Sequence, residues 1–348
     1  MKKSLLATTA LAALGAVAVA SPASAKFDVS VSGYMEQWFG YTDSKESVQA
    51  NSDGFSQFTD SEFFINFSQT LDNGLKIGGQ IQVEGQQTGL GEMIDEQFIY
   101  VNGSFGRLEL GTDNAAHYRM HYGIKSNGIG IDEGDAGEWV AGVDRQLRAT
   151  NLTFVLENDE NKVTYFSPRV SGFQVGASYI PEMQIQGTPR TNAGFEANAN
   201  RDNAFSLGGN YVTDVADMSI KASIGYMNAG GGVAGNDEGL TAGLQLGFGG
   251  FTASFAYGEH EDDTNTEDVN VFGFGIAYNA GPAGVSVGYI RGEDSDDNDK
   301  QDAFEMGASY QMGPGVTAKG SVYYVERKTA AVDTADGVAV AAGLALSF

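Results

Sequence analysis

The stretch 337–348 reads GVAVAAGLALSF and alternates between two kinds of side chain. Even-numbered positions from 338 carry Val, Ala, Leu or Phe, whereas odd-numbered positions carry Gly, Ala or Ser. Successive side chains of an extended strand point to opposite faces, so a period of two residues is typical of a β-strand. This stretch therefore predicts a strand with one larger apolar face and one face of small residues.

The same period recurs along almost the whole chain, and helical periodicity is nearly absent. Clear examples are LKIGGQIQVE at 75–84, LTAGLQLGF at 240–248 and FTASFAYG at 251–258. The 48 glycines suit tight turns, and the 21 Phe, 15 Tyr and 2 Trp favour strands. The pattern predicts an all-β fold.

The connections between these segments alternate in length. Short turns are expected at 72–74, 102–106, 169–172, 214–217, 249–250, 280–284 and 313–315. Long loops are expected near 43–56, 87–93, 113–158, 182–202, 229–238, 260–267, 294–300 and 329–337. This alternation predicts sixteen antiparallel strands closed into a transmembrane β-barrel. A soluble β-sandwich is the alternative, but it does not usually sort its loops by side.

The segment 1–25 reads as a cleaved secretory signal, with a lysine pair, an apolar run and the small-residue site SPASA. Cleavage between Ala25 and Lys26 leaves 26–348 as one barrel domain and changes the formal net charge from −25 to −27. An uncleaved helical anchor is the alternative, but the apolar run is short. The absence of cysteine excludes disulfides and thiol catalysis, and the negative charge argues against nucleic-acid binding.

Three short motifs carry a family resemblance. They are the SPASA-KF junction leading into VSVSGY at 29–34, the strand FGRLELG at 105–111 before the longest loop, and the terminal Phe348. Together they resemble the general porins of Gram-negative bacteria, in particular the alphaproteobacterial type. The resemblance implies an outer-membrane homotrimer of sixteen-stranded barrels, with short periplasmic turns, long extracellular loops and the third long loop folded into each pore.

The resemblance also implies passive diffusion of small hydrophilic solutes and ions, with outer-membrane lipid around the barrel and no required cofactor. Sixteen strands enclose an aqueous channel, so transport depends on the bore and its lining. From the formal charge we expect a weak preference for cations.

The longest connection carries charges of both signs. If it folds inward, its charges set the pore constriction: Asp113, Arg119, Lys125, Asp132, Glu133, Asp135, Glu138, Asp144, Arg145 and Arg148. On the wall, alternation with Leu108 and Leu110 predicts that Arg107 and Glu109 face the lumen. Further lumen candidates by the same rule are Lys76, Lys221 and Lys319. Opposed charges would create a transverse field, whereas the alternative is a loop charge that is merely solvated.

Acidic residues also gather near two outer loops: Glu259, Glu261, Asp262 and Asp263 in one, and Asp294, Asp296 and Asp297 in the other. Carboxylate oxygens suit hard cations, so we expect these loops to bind Ca²⁺ loosely. The spacing of a calcium-hand loop fails, because Asp299 stands where glycine is required. The alternative is a solvated acidic surface that concentrates cations at the mouth.

An enzyme or an adhesion barrel would be the rival class. His117 and His121 have the spacing of a zinc-protease pair, but the glutamate between them is missing. The match of GVSVG at 284–288 to a nucleophile elbow lies in an alternating strand with no helix after it. The sequence therefore favours a channel over an enzyme and leaves a solute-specific porin open.

Overall fold

The computed structural model of the chain describes residues 27–46, 53–85, 93–132, 139–140, 143–144, 146–152, 159–183, 202–230, 236–263, 268–295, 298–329 and 333–348. The expected signal segment 1–25 and its cleavage site at Ala25 and Lys26 lie outside the described residues. Within the described ranges, no helix is both long and apolar enough to cross a membrane.

Sixteen antiparallel strands form one closed barrel in which each strand pairs with its neighbours along the chain. They are β1 (Asp28–Glu46), β2 (Gly54–Thr70), β3 (Lys76–Glu84), β4 (Ile94–Gly103), β5 (Gly106–Thr112), β6 (Asn161–Phe166), β7 (Phe173–Glu182), β8 (Asp202–Val215), β9 (Met218–Gly230), β10 (Asp237–Phe248), β11 (Phe251–Asp262), β12 (Val269–Ala280), β13 (Ala283–Asp294), β14 (Asp299–Gly313), β15 (Val316–Lys328) and β16 (Asp333–Ser347). The barrel closes where β1 pairs with β16, with Tyr34 opposite Ser347. The sixteen-stranded fold predicted from the sequence is confirmed.

The side chains of β16 show how the sequence period separates the two faces of the wall. Val338 and Val340 are 43% and 49% exposed on the outer surface, whereas Ala339 and Ala341 are 0% and 2% exposed inside. Exposed valine and leucine on the outside suit lipid contact, while small residues inside leave room in the lumen. The alternation seen in the sequence is therefore the alternation between lipid and lumen.

Short and long connections lie at opposite ends of the barrel, because consecutive strands are antiparallel. We call these the short-turn end and the long-loop end. At the short-turn end, Gly74 and Gly250 adopt φ angles of +83° and +86°, which glycine accepts without strain. In outer-membrane barrels the short turns face the periplasm and the long loops face outward.

Several strands extend further towards the long-loop end than the sequence predicts. β1 continues to Glu46, β11 to Asp262 and β13 to Asp294, so the loops that follow them are shorter than expected. Charged residues do not end these strands, because the ladder hydrogen bonds keep the backbone paired above the apolar band. The acidic stretches at these places are therefore partly strand.

Aromatic pairs occupy both ends of the outer surface. The ring centroids are 4.3 Å apart in Phe173–Tyr211 and 4.4 Å in Phe251–Tyr278 at the short-turn end, and 5.1 Å in Tyr41–Phe55 and 5.0 Å in Tyr179–Phe205 at the long-loop end. Aromatic side chains at these levels are typical of the two membrane–water interfaces. They mark the upper and lower limits of the apolar band.

The buried apolar core lies inside the barrel. Ile131 and Leu147, from the connection between β5 and β6, are 1% exposed and belong to one cluster with Ile180, Val271 and Ile290 of the wall. The core thus consists of a loop packed on the inner surface of the sheet.

Leu244 and Gln245 of β10 test the assignment of the two faces. Leu244 faces outward, and Gln245 faces inward, where its Nε2 donates to the Gly123 carbonyl oxygen at 2.9 Å. Leu244→Lys should lower the free energy of unfolding by about 2–4 kcal/mol, because it places a charge against lipid. Gln245→Lys should cost only about 1 kcal/mol, from the lost hydrogen bond. Urea unfolding in lipid vesicles measures both costs, and equal values would contradict the assignment.

Candidate functional site

The described parts of the connection between β5 and β6, residues 113–132, 139–140, 143–144, 146–152 and 159–160, lie along the inside of the barrel wall, and we call them the inward loop. Its backbone N–H groups donate to serine hydroxyls on six strands. The pairs are Ala116 to Ser178 (2.9 Å), His117 to Ser206 (2.8 Å), Tyr122 to Ser223 (2.9 Å), Lys125 to Ser254 (3.0 Å), Asn127 to Ser286 (2.8 Å) and Ile129 to Ser321 (2.8 Å). These serines, which we call the serine track, dock the loop from β7 to β15.

Glycines on the wall let the inward loop approach closely. A Cβ atom at Gly225 would lie 2.8 Å from the Cβ of His117, and one at Gly307 would lie 2.6 Å from the Cα of Gly128. Real Cβ atoms do not approach other carbons this closely, so only glycine fits while the loop keeps its position. Serine and glycine residues at inward positions thus form the surface on which the loop docks.

The later part of the loop, from Trp139 to Leu152, also contacts the inner surface of the barrel wall. The Thr42 hydroxyl donates to the Trp139 carbonyl oxygen at 2.6 Å, and the Asp144 N–H donates to Gln301 Oε1 at 2.8 Å. Asp132 connects the earlier and later parts of the loop, because its Oδ2 accepts from the Ile124 N–H at 2.9 Å and its Oδ1 from the Thr150 N–H at 3.0 Å. The loop is therefore braced against itself as well as against the wall.

A cluster of charged residues holds the start of the inward loop. Glu109, 2% exposed, lies between Arg107 and Arg119 and pairs with both. Arg119 also pairs with Asp113 at 2.5 Å. The guanidinium group of Arg107 lies 3.9 Å from the centroid of the Tyr100 ring. These paired groups fix the course of the loop as it leaves β5.

Burial shifts the ionisation of groups in the inward loop. It raises the pKa of Asp113 to about 7, although the neighbouring Arg119 favours the ionised form. Burial and the nearby Asp95 raise the pKa of Asp159 to about 7. Burial lowers the pKa of His117 to about 3, so this imidazole is neutral at physiological pH. The loop can therefore gain protons on two carboxyl groups near neutral pH.

Strands β2 to β4, which lie across the barrel from β11, carry carboxylates on their inward faces. Oxygen atoms of Glu62, Glu84 and Asp95 lie within 4.8 Å of one another, and the Gln82 amide donates to Glu62 at 2.8 Å and to Asp95 at 3.1 Å. With Asp60 and Glu36 nearby on the same side of the lumen, these residues form what we call the acidic wall. Carboxylate oxygens at this spacing can hold a hard cation.

The sequence analysis missed the acidic wall, although part of its signal was present. Glu62 and Glu84 occupy inward positions of alternating strands, directly opposite each other across β2 and β3. Asp95 belongs to the same group because the pairing of β3 and β4 shifts register between Ile81 and Val83. A register shift of this kind re-aims a side chain and is not visible in the sequence.

The structure distributes the charged loop residues of the sequence analysis among several environments. Lys125 is exposed, Asp144 pairs with Arg327 at 3.0 Å, and Arg148 is 0% exposed. Arg148 therefore does not face the open lumen. Glu133, Asp135, Glu138 and Arg145 lie outside the described residues.

The wall candidates from the sequence analysis all occupy inward strand positions. Lys76 lies at the short-turn end of β3, and Lys221 lies 5.8 Å from the centroid of the Tyr122 ring. Lys319 Nζ lies 3.8 Å from Glu36 Oε1 on the acidic wall. Arg107 and Glu109 pair with each other close to the point where the inward loop leaves β5.

Four of the outer acidic residues that the sequence predicts in loops lie at the ends of strands. Glu259, Glu261 and Asp262 lie in β11 and Asp294 lies in β13, because both strands extend through the acidic stretches. Asp262 is buried whereas its neighbour Glu261 is exposed, so successive carboxylates point to opposite faces. Asp263 is exposed just beyond β11. Asp296 and Asp297 lie outside the described residues.

The two histidines of the inward loop serve its docking. His117 Nδ1 lies 2.9 Å from Ser206 Oγ, and both side chains are buried under the loop. His121 Nε2 lies 3.0 Å from Thr150 Oγ1 in the returning pass. The two rings therefore contact different parts of the structure instead of converging on one metal site.

A closed sixteen-stranded barrel with an apolar outer band, a charged lumen and a loop docked inside it belongs to the class of transmembrane channel barrels. A family model described as Gram-negative porin matches residues 7–330, and the chain belongs to this family. The protein is thus a porin channel of the outer membrane. No curated protein sequence matches the chain.

Solved porin structures share the fold at low sequence identity. An anion-selective porin from Comamonas acidovorans aligns with a TM-score of 0.66 and 16% identity, over 93% of this chain and 100% of that one. The in-vitro folded OmpT of Vibrio cholerae, described as a trimer form, aligns with a TM-score of 0.63 and 13% identity, over 92% of this chain and 99% of that one. At this identity the likeness shows the fold alone.

The serine track should control the rigidity of the inward loop. Replacing Ser223, Ser254 and Ser286 together with alanine removes three acceptors of loop N–H groups, each worth about 0.5–1.5 kcal/mol. We expect faster proteolysis within the loop and noisier single-channel current. The matched control replaces Ser30, Ser32 and Ser68, on β1 and β2, with alanine. Equal effects of the two triple variants would rule out the docking role.

Protonation of Asp113 and Asp159 should make stability depend on pH. Because their folded pKa lies above the usual aspartate value near 4, the ionised forms oppose folding, and this penalty is relieved as pH falls through about 7. We therefore expect the urea concentration at the unfolding midpoint to rise as the pH is lowered from 8 to 5. D113N/D159N should flatten this profile, and an unchanged slope in that variant would contradict the assignment.

Proposed function

We propose that this porin is a diffusion channel for small hydrophilic solutes and ions, with a weak preference for cations. The observation that carries the proposal is the acidic wall, which lies across the barrel from the part of the inward loop docked on β11. A negative wall raises the local concentration of cations and lowers that of anions. The anion-selective relative does not argue against this, because selectivity depends on lumen side chains that low identity leaves free to differ.

The pairing of the lumen charges supports cation preference. Arg107 and Arg119 are balanced by Glu109, and Arg327 is balanced by Asp144 and Asp299. Among the described residues, by contrast, no ion pair involves Glu62 or Glu84. Glu62 and Glu84 therefore place carboxylates in the bore that no described ion pair neutralises.

The arrangement also suits dipolar solutes. The exposed Lys125 lies on the inward loop, and the carboxylates of the acidic wall lie across the lumen. Opposed charges on two sides of a narrow bore orient a dipole as it passes. Loosely bound Ca²⁺, which we first expected at the outer loops, fits better at Glu62, Glu84 and Asp95, where three carboxylates converge.

The proposal includes the assembly and maturation of the protein. We propose a homotrimer in outer-membrane lipid, supported by the trimer form of the Vibrio cholerae relative. Export through the signal 1–25, cleaved between Ala25 and Lys26, follows from the sequence pattern. We propose that the chain is of the alphaproteobacterial type, which its junction and strand motifs resemble.

Single-channel recording in a planar bilayer under a salt gradient tests the function. Wild-type protein should insert in groups of three conductance steps and give a cation-sided reversal potential. E62Q/E84Q/D95N should shift the reversal potential towards zero and lower the cation-to-anion permeability ratio by roughly threefold, because it removes the acidic groups of the wall from the bore.

The matched control for this recording removes three charges from the outer surface. E238Q/E259Q/E261Q changes glutamates at the long-loop end of β10 and β11 and should leave the reversal potential nearly unchanged. An anion-sided potential in the wild type would refute the cation preference. Folded protein without conductance would refute the channel itself, and single isolated steps would refute the trimer.

A further inference from the structure

Two aromatic side chains face the lumen beside the acidic wall. The rings of Tyr34 on β1 and Phe64 on β2 have centroids 6.3 Å apart and are tilted by 48° to each other. Tyr34 is paired across the strands with Glu62, and Phe64 is two residues from Glu62 on the same strand, so all three side chains point inward. Both rings are partly exposed. We call Tyr34 and Phe64 the aromatic pair.

Other aromatic side chains inside the barrel lie beside a cation of the chain itself. Among the described residues, the distances from the cationic group to the ring centroid run from 3.9 to 6.0 Å in these contacts: Arg107 with Tyr100 and with Phe98, Arg119 with Phe166, Lys221 with Tyr122, and Lys319 with Trp38. A cation over a ring face is attracted by the negative face of the π-system. The lumen therefore uses cation–ring contacts repeatedly.

The aromatic pair has different neighbours. In the described part of the chain, no basic side chain lies over the ring of Tyr34 or Phe64. Carboxylates lie beside the pair instead, because Glu62 stands opposite Tyr34 and the Tyr34 hydroxyl donates to Asp60 Oδ2 at 3.3 Å. Ring faces and carboxylates both attract a cation. The pair therefore offers a cation two kinds of partner at one place in the bore.

Lys319 shows that one ammonium group can use both kinds of partner in this lumen. Its Nζ lies 3.8 Å from Glu36 Oε1 and 6.0 Å from the centroid of the Trp38 ring. Glu62 and the Tyr34 ring provide a second carboxylate and ring, nearer the short-turn end of β1. Trp38 is 0% exposed, whereas both rings of the aromatic pair are partly exposed. A solute in the bore can therefore reach the aromatic pair.

We propose that the aromatic pair and Glu62 form a binding site for quaternary ammonium solutes passing through the channel. The proposal rests on the cation preference proposed above and names a class of solute. A quaternary ammonium ion can contact a ring face directly, whereas hydrated K⁺ interacts mainly with the carboxylates. Gln82 Nε2 donates to Glu62 at 2.8 Å, and Asp60 accepts from Tyr34, so the ring and the carboxylate are held in place.

Single-channel conductance in tetramethylammonium chloride and in potassium chloride tests the proposal. Conductance through a pore with a binding site saturates as the salt concentration rises, and the half-saturation concentration reports the affinity. Y34L/F64L should raise this concentration about threefold for tetramethylammonium, because both ring faces are removed, and should leave it nearly unchanged for potassium. Y34F/F64Y keeps two rings at these positions and should keep the wild-type values.

E62Q should raise the half-saturation concentration about twofold for both ions, because a carboxylate attracts either of them. The matched control Y179L/F205L removes a tyrosine and a phenylalanine that form a pair on the outer surface, and it should change neither value. An unchanged tetramethylammonium value in Y34L/F64L or in E62Q would overturn the proposal. An equal rise for potassium in Y34L/F64L would also overturn it.

These outcomes differ from those that refute the channel or its cation preference. Loss of the channel shows as absent conductance, and loss of the cation preference shows as an anion-sided reversal potential of the wild-type protein. A cation-sided wild type in which Y34L/F64L treats tetramethylammonium as before would remove the quaternary ammonium site alone.

Discussion

Every backbone N–H and C=O group inside the lipid layer must find a partner within the protein, because an unpaired group there costs several kcal/mol. The pairing of β1 with β16 meets this requirement by leaving no free strand edge. Closure also separates inside from outside, so each strand must present apolar residues to lipid and smaller or polar residues to the lumen. The serine track and the acidic wall both occupy positions that this separation defines.

Strand number and facing could be predicted from the sequence because both depend on a period of two residues, as in 337–348. How far the strands extend could not be predicted from the sequence. Asp262 and Asp294 are of a type common in loops, but they remain paired with neighbouring strands. The acidic wall joins residues of three strands, and Asp95 takes part because of a register shift in the pairing of β3 and β4. Such features depend on neighbours that lie far apart in the chain.

Lumen charge divides into groups that support structure and groups that face the permeating solute. Glu109 and Arg119 pair with each other and hold the start of the inward loop. Asp132 accepts hydrogen bonds that connect the earlier and later parts of the loop. Glu62 and Glu84 are half-buried on the acidic wall, and no described ion pair neutralises them. Net charge alone does not distinguish the two groups, whereas their hydrogen bonds do.

The serine track binds the inward loop chiefly through the main chain of the loop, and His117 adds a side-chain contact to Ser206. Hydroxyl groups on the wall accept from N–H groups that nearly any residue would provide, so these contacts do not depend on the loop side chains at Tyr122, Lys125 and Asn127. Substitutions at loop positions that face the bore can then accumulate without displacing the loop. The barrel is in this sense an evolvable scaffold, in which new permeability arises by changing a few side chains on a path that stays constant.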